Sequence, residues 1–409
     1  MTDTASAPPT QARERVLSGM RPTGALHLGH YHGALKNWVR LQDLYECYYF
    51  VADWHALTTH YEDRSVIERS VYDMVIDWIA AGLDPDRSTI FLQSRLQEHA
   101  ELFTLLAMGT PLGWLERVPT YKDQMEKLKD RDLATYGFLG YPLLQAADIL
   151  AYRANWVPVG IDQASHVELT REAARRFNHL YGREPDFATR VAAIVATLPT
   201  DDANRLEKAR KAYGETGDEQ VLARARAYVA GVPGLGDADR ERLDGHVRGT
   251  GRTVLVEPAA LHTEVTKLPG LDGAKMSKSY GNAIDMRETP ENVALKVRRM
   301  PTDPQRVRRT DPGEPERCPV WQFHLVYSNE ETKAWAANGC RTAAIGCLDC
   351  KQPVIDAIVA EQAPWRERAE PYLRDPQRVH WIVEVGTERA RTGARETLKD
   401  VRQAMGLGY

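Results

Sequence analysis

The chain of 409 residues has little cysteine, five in all, with four of them crowded near the C-terminus. A secreted disulfide framework would spread paired cysteines through a small domain, so that class is excluded. No apolar run reaches the roughly 18 residues that a membrane span needs. The first stretch, Met1–Ala12, is small, polar and Pro-containing, without the hydrophobic centre of a signal peptide. It reads as a disordered tail, and the chain as a cytoplasmic protein without membrane contact. Net charge is small as well, −4 at neutral pH. There is therefore no global pull toward nucleic acid, and any RNA contact must come from local patches. Repeats of solenoid period are absent. What remains is 43% hydrophobic and 27% charged, the mix of a soluble globular protein with core enough for two or three domains.

Two stretches carry chemistry. Arg15–Leu35, RVLSGMRPTGALHLGHYHGAL, reads as a short buried strand, a loop of turn formers and the opening of a helix. Backbone N–H groups and the helix dipole at such a junction attract a nucleotide phosphate. His27 and His30, three apart, fall on one helix face, and Gly29 between them lets a purine ring approach the backbone. Taken alone, this could be a loop with two surface histidines. The second stretch is GAKMSKS, where Lys275 and Lys278 flank Met276 and Ser277 ahead of Ser279. Lysines so placed form a cationic clamp for charge developing on a pyrophosphate, although a short Lys-rich run is more often a solvated loop. The pair, in this order, resembles the two signatures of class I aminoacyl-tRNA synthetases.

From Arg15 to about Pro185 short apolar runs alternate with helical segments, as in a parallel α/β sheet. Strands are expected at Arg15–Leu17, Cys47–Ala52 and Thr89–Leu92, with helices at Ala34–Gln42, Val66–Ala81 and His99–Leu105. Cys47 belongs to the core. Asp53, Trp54 and His55 follow a strand and sit at its carboxyl edge, where ligands collect. In YPLLQAADIL, Tyr141, Gln145 and Asp148 share one helix face. They could read a ligand's amine and ring N–H, or Asp148 could be a core carboxylate satisfied by a cap or an arginine.

With FVADWHALT, LERVPTYK and VPVGIDQASHVELTREAARRFN beside those motifs, the chain resembles bacterial tryptophanyl-tRNA synthetases of the iron–sulfur subgroup. The resemblance implies a Rossmann-like parallel-sheet catalytic domain (15–185 and 254–285) and an all-α anticodon-binding domain (286–409). It implies that ATP, with Mg²⁺, is held by Arg21, Pro22, Thr23, Gly29, His30, Gly160, Ile161, Asp162 and Lys275–Ser279. Lys122 would help hold the phosphates. His27, His30, Lys122, Lys275 and Lys278 would stabilise the transition state. Asp148 would accept the tryptophan indole N–H, with Leu17, Gly19, His55, Tyr141, Gln145 and Gln163 around the amino acid. Ile161 stands where the family usually has an acidic residue. Partners would be L-tryptophan, ATP and tRNA(Trp), in a homodimer, with no DNA.

A charged stretch over 186–253 departs from the family pattern. Helices are expected at Arg205–Tyr213 and Glu219–Val229 with a turn at Val232–Gly236, in a passive solvated surface module; an extra RNA contact is the alternative. Beyond Met286 the pattern is helical. Thr289-Pro290 opens a helix, Ser328 with Glu331 reads as a capping box, and Gly339 as a C-cap. Arg298, Arg299, Arg306, Arg308 and Arg309 read as a solvated face, with RNA phosphates the alternative. Cys318, Cys340, Cys347 and Cys350 have a spacing that suits zinc or an iron–sulfur cluster. The resemblance selects [4Fe–4S], with zinc second. The rival readings are a tyrosyl enzyme of the same fold and an iron–sulfur RNA-binding paralogue with a vestigial site, against which intact HLGH and KMSKS speak.

Overall fold

The run ECYYFV is buried at five of its six positions, as a strand covered on both faces by helices requires. It is β2 (Glu46–Val51) in a computed structural model. The structure describes residues 13–61, 65–118, 135–160, 164–182, 184, 186–262, 268–277 and 280–409. With β1 (Arg15–Met20), β3 (Ser88–Leu92), β4 (Trp156–Val159) and β5 (Ala259–His262) it forms one sheet of order β3-β2-β1-β4-β5. The pairings of β1 with β4, β2 with β3 and β4 with β5 are parallel. Strand order reverses at β1, the place where an open parallel sheet collects ligands beyond its carboxyl ends. This is the expected α/β class. β1 runs three residues past the expected Leu17, to Met20.

The helices that matter below are α1 (28–41), α2 (Asp53–His60), α3 (Ser65–Ala81), α4 (Gln97–Gly109), α5 (Leu112–Glu116), α6 (Tyr136–Ala151) and α7 (Ala164–Tyr181). Next come α8 (Phe187–Thr197), α9 (Thr200–Thr216), α10 (Glu219–Gly231) and α11 (Asp237–Arg248). The chain ends in α12 (Pro290–Arg299), α13 (Pro319–Tyr327), α14 (Glu330–Arg341), α15 (Cys347–Arg374) and α16 (Pro376–Ala404). Inside α1, Tyr31–Leu35 is a wider π-helical turn, a feature that often marks functional segments. The chain divides into two compact units. One comprises Met1–Ser18, Arg95–His262 and Glu388–Tyr409; the other comprises Gly19–Ser94 and Thr263–Thr387.

In the first unit, α8–α11 close around their own core. Leu222 and Leu243 are fully buried there, and Leu206 and Val247 nearly so. The alternating charges that read as a solvated module therefore cover a true hydrophobic centre. In the second unit, Thr289 caps α12 as expected, accepting the Asn292 N–H at 3.3 Å. Two expected signals are corrected. The cap of α14 is Asn329, which accepts from Thr332 N–H at 2.9 Å, so Ser328 lies one residue outside. Gly339 is inside α14, not its C-cap. Its missing side chain makes room for Ile345, which a Cβ would meet at 2.8 Å.

Candidate active site

In the second unit the loop after β1 is pinned from both sides. Gly19 has to be glycine because a Cβ would meet the Phe50 ring at 2.6 Å. Leu26 N–H donates to Asp77 Oδ2 at 3.2 Å. Arg287 Nε donates to the other oxygen of Asp77 at 2.6 Å. Asp77 is 1% exposed, and burial pushes its carboxyl up to about 6 although Arg287 pulls it down. Leu28 N–H bonds Ile284 O at 3.0 Å and Met286 N–H bonds Leu26 O at 3.0 Å. The segment that follows KMSKS is thus laced to the one that opens HLGH.

His27 is the N-cap of α1, in extended conformation, not a residue within the helix. Its ring nonetheless stacks on that of His30, with centroids 3.7 Å apart. Gly29 N–H donates to Met276 Sδ at 3.4 Å, so HLGH and KMSKS touch directly. Met276 is buried and Lys275 exposed. Ser277 N–H is held by Asn282 Oδ1 at 2.8 Å. Arg21 and Thr23 are exposed and Pro22 is buried. At the end of β2, Asp53 accepts from the backbone of Ser94 at 3.0 Å; burial raises its carboxyl and those bonds oppose the rise. His55, one turn into α2, is buried. Lys122, Ile161, Asp162, Gln163, Lys278 and Ser279 lie outside the described residues.

In the first unit, α6 begins with Thr135 accepting the Phe138 N–H at 3.2 Å and carries Tyr141, Gln145 and Asp148. Tyr141 Oη lies 3.3 Å from His166 Nε2, and His166 Nδ1 lies 2.8 Å from Gln145 Oε1. Asp148 is fully buried and accepts from His99 Nδ1 at 2.6 Å. A carboxylate only accepts, so His99 carries its proton on Nδ1 and takes the Tyr152 hydroxyl on Nε2 at 2.6 Å. A histidine on α4 holds Asp148. His99, Tyr152 and His166 were missed from sequence. Only the i, i+4 spacing of Asp148 and Tyr152 hinted at one of them. Leu17 is buried, and Gly160 follows β4 directly.

The model of the family described as tRNA synthetases class I (W and Y) matches residues 10–211 and 244–361. The chain belongs to that family. It is similar to the tryptophan–tRNA ligase of Ralstonia nicotianae, 62% identical over 97% of this chain and 99% of the relative. The tryptophan–tRNA ligase of Thermotoga maritima is 44% identical over 97% of this chain and all of its own. A tryptophanyl-tRNA synthetase from Campylobacter jejuni, solved with ADP and tryptophan, superimposes with a TM-score of 0.71 at 26% identity. That alignment covers 96% of this chain and 100% of the other. Residues 212–243, which the family match skips, lie within α9–α11.

This synthetase also gathers its late cysteines. Cys318 precedes α13, Cys340 lies at the end of α14, and Cys347 and Cys350 occupy the first turn of α15. Burial pushes the Cys350 thiol up to about 12, and Cys318, Cys340 and Cys347 add to the rise. Arg306, expected on a solvated face, is 8% exposed. It donates to Arg309 O at 3.0 Å and Ile345 O at 2.6 Å and lies 3.9 Å from Cys340 Sγ, drawn inward by those carbonyls. Lys351, 3% exposed, donates to Arg298 O at 2.8 Å and Met300 O at 2.6 Å. Among the described residues no three or more His, Cys, Asp or Glu side chains are grouped to hold one metal ion. Neither the expected [4Fe–4S] cluster nor zinc, the second choice, therefore finds a formed site among the described residues.

Proposed function

We infer that the chain activates L-tryptophan with ATP, releasing pyrophosphate, and transfers the tryptophanyl group to the 3′ end of tRNA(Trp). The carrying observation is the near-full-length identity of 62% with a tryptophan–tRNA ligase. The geometry supports it. A tryptophan carboxylate oxygen attacks the α-phosphorus and the bond to pyrophosphate breaks; a ribose hydroxyl of the terminal adenosine then attacks the carbonyl and displaces AMP. No side chain needs to act as a nucleophile, so the protein contributes position and charge. The stacked pair His27 and His30, with Gly29 between them, faces ATP. Lys122, Lys275 and Lys278 meet the charge growing on pyrophosphate, and Arg21–Thr23, Gly160–Asp162 and Met276–Ser279 complete the nucleotide site. Mg²⁺ arrives with the nucleotide and neutralises phosphate charge when bound. Asp148, oriented by His99, accepts the indole N–H. Tyr141, Gln145, Gln163, Leu17, Gly19 and His55 frame the amino acid.

Amino-acid-dependent ATP–pyrophosphate exchange tests this across all twenty amino acids, with tryptophan the expected substrate. Exchange driven by tyrosine would restore the tyrosyl reading. Asp148→Asn should lower kcat/KM for tryptophan by roughly 10–100-fold, since a charge-assisted bond is worth about 1.5–3 kcal/mol. Unchanged kcat and KM would reject the pocket. Lys278→Ala should lower kcat with little change in tryptophan binding, because its charge acts in the transition state.

The cysteines are best explained as ligands of a [4Fe–4S] cluster, with α12–α15 contacting the anticodon region. A single zinc holds thiolates about 3.8 Å apart. Cys318, Cys340 and Cys347 lie near enough to add to the rise that burial gives the Cys350 thiol, and the four could each serve one iron of the cluster. Four thiolates around a doubly positive core leave a net charge of about −2. Arg306 and Lys351, two buried cations partnered by carbonyls and sulfur, offset that charge; beside neutral thiols both would remain uncompensated. Electron transfer has no part in adenylation, so the centre serves structure and RNA positioning.

A further inference from the structure

The insertion divides its cations into two sets. Around α11 each arginine meets a carboxylate. Arg226 pairs with Asp244 at 2.7 Å, Arg242 with Glu184 at 2.7 Å and Arg248 with Glu257 at 2.7 Å. On the facing flanks of α9 and α10 the pattern stops. No described carboxylate lies within ion-pair distance of Arg205, Lys208 or Arg224. Arg224 Nε instead turns back to Gln220 O at 3.2 Å, and the Arg205 guanidinium lies over the Tyr228 ring, 5.2 Å from its centroid. These three cations and Tyr228 line one groove of about 440 Å³ floored by Leu206 and Ala225. Tyr228 also borders a second groove of about 1010 Å³, lined by Ile194, Leu198 and Leu235 together with Asp202 and Asp239. Its hydroxyl is bonded to Asp202, and burial with that bond pushes the phenol up to about 12, so the ring stays neutral.

We propose that the α9–α10 groove is an RNA-binding surface, which takes the phosphodiester backbone on Arg205, Lys208 and Arg224 and an unpaired base beside Tyr228. The occupant is a single-stranded segment of the RNA that this synthetase charges, so the assignment rests on the function inferred above. Cations answer phosphates, and an aromatic ring capped by a guanidinium next to a partly apolar trough answers a nucleobase. An acidic protein segment would use the cations but leave the ring and trough without a planar partner. Arg205, Lys208 and Arg224 are exposed and lie outside the module's core, so these cations can be changed without unfolding it, whereas Tyr228 packs against that core.

Full-length protein and an unmodified tRNA(Trp) transcript provide the test, read by filter binding from 50 to 300 mM salt beside tryptophan-dependent exchange. The triple variant Arg205→Ala/Lys208→Ala/Arg224→Ala should bind the transcript at least about tenfold more weakly at low salt. Its salt slope should fall by about 2–3, near 0.7–0.9 per lost phosphate contact. Exchange should be unchanged. Arg205→Lys/Arg224→Lys should keep the slope, and Tyr228→Ala should weaken binding severalfold without altering it. Transcript binding within twofold of wild type and an unaltered slope in the triple variant overturn the proposal. So does competition by poly-glutamate as effective as RNA at equal charge. Wild-type protein without tryptophan-dependent exchange would instead sink the functional reading, while the transcript slopes still judge the groove.

Discussion

The insertion around α8–α11 and the cysteine lobe around α13–α15 are both helical, yet they settle their buried charges in opposite ways. In the insertion, Arg248 and Arg252 are nearly buried and each meets carboxylates, Glu257 for one and Glu241 for the other. Burial raises Glu241, and Arg153 and Arg252 pull it back down. Leucines supply the rest of the stability. In the lobe, Arg306 and Lys351 have carbonyls and a sulfur where the insertion has carboxylates. The insertion's buried cations thus meet carboxylates, several of them beyond its own helices. The lobe instead leaves two buried cations among carbonyls and sulfur, the imbalance that the proposed cluster would offset.

The largest effect should come from removing the lobe's ligands. Cys347→Ser and Cys350→Ser should each abolish the brown colour of protein purified without oxygen, together with its iron and acid-labile sulfide. On the cluster reading, stability of the lobe should drop by roughly 5 kcal/mol or more, since metal binding is then folding energy. α15 also carries Gln362, whose Nε2 donates to Asp285 O at 2.8 Å, and Glu361, 3.2 Å from His32. Exchange should therefore weaken along with tRNA charging. Colourless wild-type protein with one equivalent of zinc would keep the site and reject the cluster; four freely titrating thiols and no metal would reject both.

The insertion should respond as an ordinary core. Leu243→Ala removes a fully buried side chain and should cost about 2–5 kcal/mol. Because that core is the module's own, proteolysis should speed up within 187–248 while exchange at 25 °C stays near wild type. Metal content should not change. Loss of exchange in step with proteolysis would show that the insertion is not self-supporting.

Asp77 calibrates what a paired buried charge does. Its carboxyl sits at about 6 in the folded chain against an ordinary 3.8, so the native state holds a proton that the unfolded chain has already released. The stability it confers is whole below pH 3.8 and is lost as pH rises toward 6, about 3 kcal/mol in all. Asp77→Asn removes that slope. Urea unfolding at pH 4 and pH 7 should shift the difference between the two proteins toward the variant by most of that amount, about 2 kcal/mol. A constant difference would mean that Arg287 already keeps Asp77 ionised through the window.

The sheet was legible because strands buried on both faces are written as unbroken apolar runs, as CYYFV is. HLGH and KMSKS stood out because glycine, histidine and lysine lie close together in the chain, and the structure brings the two stretches into contact. His99 was not, since it lies 49 residues from Asp148 and nothing local marks a histidine as a carboxylate's partner. The insertion's core was hidden for a related reason. Leu206, Leu222 and Leu243 are isolated among charges, one helix apart, and only packing unites them. Arg306 misled in the opposite direction: amid four other arginines it looked solvated, but two carbonyls and Cys340 draw it inward.

The smallest effect separates the two regions most sharply, because its sign should reverse. In cluster-bearing protein, Lys351→Met removes a buried ammonium that burial pulls down and that Cys318, Cys347 and Cys350 hold up. The loss should destabilise the lobe by about 1–2 kcal/mol. In a Cys350→Ser background the anionic centre is gone, and the same ammonium is a buried charge with carbonyls alone for partners. Methionine there fills a similar volume without desolvation cost, so Lys351→Met should restore about 1 kcal/mol. Chemical unfolding of the four proteins in a double-mutant cycle reads the coupling directly. Arg226→Met in the insertion, which leaves Asp244 with Arg248 as its remaining ion-pair partner, should destabilise in both backgrounds equally. Equal effects of Lys351→Met in both backgrounds would mean that this ammonium does not balance the cysteine centre.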